Sequence, residues 1–168
     1  MLIISSLAGA ADAFARYKPD RVISLLSEDE ALPRLTGLPP QHHLKLYVAR
    51  ESCAASISEA ARARAKDIIE FAKGWDGAGD ILIHCNRGVS RSTAAAFIIL
   101  CIREPQTPEA SLMKRIRAAA PHADPCPLFV TYADEILGRG GRMAEALDDL
   151  APPCAAMPAP IATVKIAA

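Results

Sequence analysis

The sequence predicts an α/β domain. Its centre is a mostly parallel sheet of about four to five strands flanked by helices, with a Cys-x5-Arg loop between one strand and one helix. Three observations carry this expectation. Short runs of aliphatic residues alternate with longer stretches of helical periodicity, the pattern of strands joined by crossover helices. Three of those runs, at 21–26, 43–48 and 80–84, have clear strand character. The last of them stops at Cys85, on a polar turn that leads into an Ala-rich helix.

Residues 2–5 form a short β-like run, and 8–17 is Ala-rich and helical, ending ahead of Pro19. The run 21–26 (Arg-Val-Ile-Ser-Leu-Leu) is a buried strand. Residues 27–41 are polar and carry Pro33, Gly37, Pro39 and Pro40, which marks a loop. Residues 43–48 alternate and form the next strand. Ser56 followed by Glu59 has capping-box spacing and predicts a helix start, with apolar positions at helical period to Lys73. After a turn at 74–79, the strand 80–84 runs into the loop, and a helix follows over 90–103. Thr107-Pro108-Glu109 predicts a cap and first turn, with a helix to Ala120. Further helices are expected over 127–137 and 142–150, separated by Gly138, Gly140 and Gly141. Residues 1–150 thus form one domain. Residues 151–168, rich in Pro and Ala, read as a mobile tail, with an edge strand over 161–166 as the alternative.

Composition narrows the function classes. The 168 residues suit a single core, 51% are hydrophobic, and aromatics are only 5%, so the interior rests on Ala, Leu, Ile and Val. Nineteen basic and nineteen acidic residues cancel. No global field recruits nucleic acid, and any anion selectivity is local. No apolar run is long enough to span a bilayer, and the first residues lack a secretory pattern, which points to the cytoplasm. Cys53, Cys85, Cys101, Cys126 and Cys154 show neither a disulfide framework nor zinc spacing, so reduced thiols are expected. No metal or cofactor is called for.

The chemistry concentrates in His84-Cys85-Asn86-Arg87-Gly88-Val89-Ser90-Arg91-Ser92. A thiol attacks phosphorus only as the thiolate, and a helix N-terminus and a guanidinium both favour that anion. The backbone N–H groups of Asn86, Arg87, Gly88, Val89, Ser90 and Arg91 can curl into a nest for a phosphate dianion. Gly88 permits the curvature. Arg91 can grip two phosphate oxygens at once, which Lys cannot. The Ser92 hydroxyl can hydrogen-bond the sulfur when it departs.

This stretch resembles the His-Cys-x5-Arg-Ser/Thr signature of the protein tyrosine phosphatase superfamily. Gly88-Val89-Ser90-Arg91-Ser92 is especially similar to its dual-specificity branch, and residues 21–150 more loosely resemble small bacterial members. The resemblance implies a phosphomonoester hydrolase that works through a phosphocysteine intermediate. Cys85 would be the nucleophile, Arg91 and the loop amides the phosphate site, and Ser92 the partner of the sulfur. His84 would order the loop and tune the thiolate. The substrate would be a phosphorylated protein or a small polyanionic phosphoester, the latter suggested by the extra charge of Arg87. Family members usually carry an Asp general acid after a strand well upstream of the Cys. Here the strand 43–48 is followed by Ala49-Arg50-Glu51-Ser52-Cys53, without an Asp. Glu51 is the nearest chemical substitute as acid, and a solvated loop carboxylate is its bland alternative. Asp124 is a weaker candidate that reads more simply as a turn or cap residue. The missing Asp keeps a second reading open, a catalytically weak pseudophosphatase that binds phosphorylated partners. A sulfurtransferase is disfavoured because its loop is one residue shorter. Cys53 could meet Cys85 under oxidation, but an isolated thiol is the simpler expectation.

Overall fold

The computed structural model describes residues 1–48, 54–155 and 159–167. Five strands, β1 (Leu2–Ser6), β2 (Arg21–Ser27), β3 (His43–Val48), β4 (Ile81–Cys85) and β5 (Ala162–Val164), form one sheet in the order β3-β2-β4-β1-β5. All pairings are parallel except β1 with β5. Among the described residues six α-helices accompany the sheet: α1 (Ala10–Tyr17), α2 (Ala54–Lys73), α3 (Arg91–Arg103), α4 (Glu109–Ala119), α5 (Pro127–Leu137) and α6 (Arg142–Asp148).

Side chains of a strand point alternately to its two faces, and the core divides accordingly. Leu2, Ile4, Ile23, Leu25, Ile81 and Ile83 pack with residues of α2 to α6. Ile3, Val22 and Leu82 face the other way, onto Ala13, Phe14 and Tyr17 of α1 and onto Leu35 and Leu38. Both faces of β1 and β4 are thus covered, which is why each opens with three consecutive aliphatic residues, Leu2-Ile3-Ile4 and Ile81-Leu82-Ile83. Helix α3 is buried from Ser92 to Cys101. Its run of Ala94, Ala95 and Ala96 keeps its cross-section small where it crosses beneath the sheet. An all-round apolar helix of this kind belongs at the centre of a domain.

The element pattern follows the sequence closely, with differences at ends; α1 begins at Ala10 and α6 stops at Asp148, each two residues inside the expected range. Helix α2 begins at Ala54, so Ser56 lies within its first turn and is not the cap; Ala54 and Ala55 are strong helix formers and extend it backward. The N-cap of α4 is Pro108, with no side-chain cap bond, and the Thr107 hydroxyl turns to Glu104. The segment 151–168 carries its edge strand as β5. Ala162 and Val164 are buried against the sheet while Thr163 points outward. Arg115 donates to the Lys165 carbonyl, and the Ala167 N–H donates to Glu104, which lies 7% exposed and accepts both Arg115 nitrogens. A three-residue alternation inside Pro/Ala-rich sequence is too short to stand out from its composition.

Four parallel strands place their carboxyl ends on one rim of the sheet. That rim is where ligands of open α/β sheets bind, and Cys85 stands on it, between Ser6 of β1 and Leu25 of β2.

Candidate active site

Strand β4 ends at Cys85 and helix α3 starts at Arg91, so the loop between them is the one the sequence singles out. Its carbonyls are held from outside by three separate parts of the chain. Leu7 N–H donates to the Asn86 carbonyl at 3.1 Å, and Ala159 N–H to the Arg87 carbonyl at 3.2 Å. Asp124 N–H donates to the Val89 carbonyl at 2.9 Å, and Cys126 N–H to the Ser90 carbonyl at 3.3 Å. The Thr93 hydroxyl adds bonds to the Val89 and Ser90 carbonyls. Among the described residues, no protein acceptor takes the peptide N–H of Gly88, Val89, Ser90 or Arg91. Carbonyls turned out and amides left over is the arrangement of an anion nest at a helix N-terminus.

Gly88 makes this curvature feasible. Its φ is +75°, and a Cβ there would lie 2.7 Å from Ser6 N and 2.8 Å from the Ser5 carbonyl carbon. The loop therefore rests directly on the backbone of β1, with no room for a side chain.

Cys85 is 3% exposed, and its Sγ lies 3.2 Å from the Ser92 Oγ. The hydroxyl expected to partner the sulfur is in contact with it. Arg91 is half-buried, and among the described residues its guanidinium enters no hydrogen bond or ion pair. It lines a cavity of about 140 Å³ together with Val48, Ile57, Ala60, Leu128 and Phe129, so an apolar recess adjoins the charged group. Asn86 and Arg87 are exposed on the loop's rim.

Of the acid candidates, Glu51 lies outside the described residues, as does Cys53. Asp124 is exposed and sits beside the loop through its own N–H bond to Val89. The sequence missed Glu30. This residue follows β2, accepts Ser27 N–H at 2.7 Å, and takes the Asn86 side-chain amide on its other oxygen. The only sign of it was a carboxylate soon after the end of a strand on the same rim, which is a weak signal.

His84 is fully buried between Ser5 of β1 and Ser24 of β2. Its Nε2 lies 2.6 Å from the Ser24 Oγ. Burial pushes its pKa down to about 4, the neighbouring His43 adds to this, and Glu30 opposes it. The imidazole is therefore neutral near pH 7. Cys101, on α3, is a core residue whose thiol is pushed up to about 12 by burial, with opposing contributions from nearby charges; it has no nucleophilic role. No group of three or more His, Cys, Asp or Glu side chains gathers into a metal-binding set among the described residues, and no described helix is long and apolar enough to cross a membrane.

No family model matches the chain, and neither does any curated protein. Solved structures do. Human DUSP28 superposes with a TM-score of 0.52 at 21% identity, over 88% of this chain and 93% of that one. DUSP15 gives 0.59 at 21% identity, over 89% and 92%. PTPMT1 in complex with PI(5)P gives 0.57 at 13% identity, over 83% and 94%. The sheet and its flanking helices give this chain the fold of the dual-specificity phosphatases.

Proposed function

We propose that this chain is a cysteine-dependent phosphomonoesterase of the dual-specificity type. The observation that carries the reading is the loop after Cys85: the carbonyls of Asn86, Arg87, Val89 and Ser90 are engaged outward, and among the described residues the peptide N–H groups of Gly88, Val89, Ser90 and Arg91 meet no protein acceptor. The fold shared with dual-specificity phosphatases supports it.

In the proposed reaction the ester phosphate sits in the loop, held by the amides of residues 86–91 and by two nitrogens of Arg91. The Cys85 thiolate attacks phosphorus. The P–O bond to the leaving group breaks, its electron pair stays on oxygen, and that oxygen takes a proton from a carboxylic acid. The phosphocysteine is then attacked by water, which yields its proton to the same carboxylate. The P–S bond breaks, inorganic phosphate leaves, and Ser92 donates to the sulfur as it regains its charge. The loop stabilises charge on the equatorial oxygens in both steps. Glu51 is the first candidate for the acid, and Asp124, beside the loop, is the second. The apolar recess next to Arg91 suits the ring or chain of an apolar ester, and Arg87 on the rim suits added negative charge. A phosphorylated protein segment provides both.

A phosphate-binding module without turnover is the second reading, favoured by the missing Asp after β3. Losing a general acid costs about 10²–10⁴ in rate, so the two readings separate by measurement. Hydrolysis of p-nitrophenyl phosphate in chelator is expected for the wild type and absent in Cys85→Ser and Arg91→Ala. Tungstate binding without any hydrolysis would establish the binding module instead. Glu51→Gln and Asp124→Asn then identify the acid, as the variant in which the basic limb of the pH–rate profile disappears.

A further inference from the structure

The buried row beside the loop contains more chemistry than the reaction above uses. Strands β4, β2 and β3 lie side by side, and His84, Ser24 and His43 project from them in sequence. The Ser24 Oγ is 2.6 Å from the His84 Nε2 and 2.8 Å from the His43 Nε2. His84 is fully buried and Ser24 is 1% exposed, whereas His43 is half-buried and lines a surface cavity with Leu32, Pro33, Leu38 and Lys45.

Donor counting fixes the direction of this chain. A hydroxyl has one proton and can donate to only one of two imidazole nitrogens. The other nitrogen must itself carry a proton. The choice between the two follows from the far side of His84, whose Nδ1 is buried and has no hydrogen-bond partner. A proton there would be an orphaned buried donor, and orphaned N–H groups are rarer in folded proteins than under-used acceptors. The proton therefore belongs on the Nε2 of His84. We propose that Ser24 and His43 are positioning residues: a one-way chain, His84 Nε2–H to Ser24 Oγ–H to His43 Nε2, locks the imidazole preceding Cys85 in a single tautomer.

Both rings are neutral near pH 7, which the chain requires. Burial lowers His43 to about 4 with a contribution from Lys45, and His84 is lowered similarly, with Glu30 opposing. The consequence is that no imidazolium stands next to Cys85. The ring's task is to hold the end of β4 fixed, and the field at the sulfur comes from the loop amides and Arg91. The role assigned to Ser24 and His43 rests on Cys85 being the nucleophile, but the tautomers can be read without any turnover.

The test is long-range ¹H–¹⁵N correlation NMR of the full chain labelled at histidine, near neutral pH, with each His signal assigned by its His→Gln variant. The expected result is a proton on Nε2 and a bare Nδ1 for His84, and the reverse for His43. A proton on the Nδ1 of His84, a proton on the Nε2 of His43, or an imidazolium at either position overturns the chain. In Ser24→Ala both rings should revert to mixed tautomers, and iodoacetate should alkylate Cys85 severalfold more slowly below neutral pH. Ser24→Thr, which keeps the hydroxyl, should restore both. Unchanged tautomers in Ser24→Ala overturn the chain, and changed tautomers with unchanged alkylation overturn its positioning role. If Ser24→Ala does not fold, the wild-type spectrum still decides. Failure of the phosphatase reading is a separate result, seen as absent hydrolysis with the tautomers as described.

Discussion

Lowering the pH from about 7 to about 4 should destabilise this fold through its buried imidazoles. The pKa of His84 is lowered by burial from 6.5 to about 4. Between those values the unfolded chain binds a proton that the folded chain does not, so stability falls as the pH falls. At roughly 1.4 kcal/mol per pH unit the full shift corresponds to about 3 kcal/mol as an upper figure. His43 is lowered to about 4 as well, but it is half-exposed, and solvent screening reduces its share to about 1 kcal/mol. Burial of His122 acts in the same direction. The combined loss is a large part of the roughly 5–15 kcal/mol that stabilises a domain. Urea denaturation at a series of pH values measures it directly. The midpoint should be constant above about 6.5 and fall steadily toward 4, with an unchanged slope m. Carboxylates contribute lower down. Glu104, held below its ordinary 4.5 chiefly by its hydrogen bonds to Arg115, loses its advantage only as the pH drops through that lower range. His84→Gln should flatten the decline between 6.5 and 4. A midpoint that stays level from about pH 7 to about pH 5 would refute the reasoning.

Other perturbations have equally definite outcomes. Gly88→Ala forces a φ of +75° on a side chain that would meet the β1 backbone; strain of about 1–3 kcal/mol in thermal melts and a loss of about 10²-fold in turnover are expected. Asp134 is 4% exposed and accepts the N–H groups of Gly141 at 2.7 Å and Met143 at 2.6 Å, tying α5 to the start of α6. Asp134→Ala should cost about 2–3 kcal/mol in chemical denaturation, because buried donors lose their acceptor. Deleting residues 159–168 removes β5 and uncovers the edge of β1. A drop of about 3 kcal/mol is expected from the lost burial of Val164 and its neighbours, together with weaker tungstate binding, because Ala159 no longer holds the Arg87 carbonyl.

Much of the fold and of the site was legible because each signal is local. A strand buried on both faces shows an unbroken aliphatic run, as at Ile81, Leu82 and Ile83, and α5 starts at a proline and stops at Gly138, whose φ of +64° suits a helix end. The loop is legible because Cys85, Gly88, Arg91 and Ser92 lie within eight residues, at the end of an apolar run. What was hidden depends on the order of strands. Ser24 and His43 are nineteen residues apart, and Ser24 and His84 sixty. They meet only because β2 inserts between β3 and β4, and a lone Ser in an apolar strand gives no hint of this. Glu30 is hidden in the same way, since its partner Asn86 is fifty-six residues away. The outward bonds of the loop carbonyls involve main-chain atoms, which any residue possesses, so no side-chain pattern announces them.

Those outward bonds have a consequence for how an oxyanion would be received. A pocket assembled on ligand arrival must spend part of its affinity on ordering itself. Here that ordering is completed during folding by Leu7, by Asp124 with Cys126, and by Ala159, three stretches remote from one another along the chain. Occupancy should therefore leave the amide exchange of residues outside 86–91 nearly unchanged. Substitutions around those four distant anchors should weaken affinity even though none of their side chains need touch the guest.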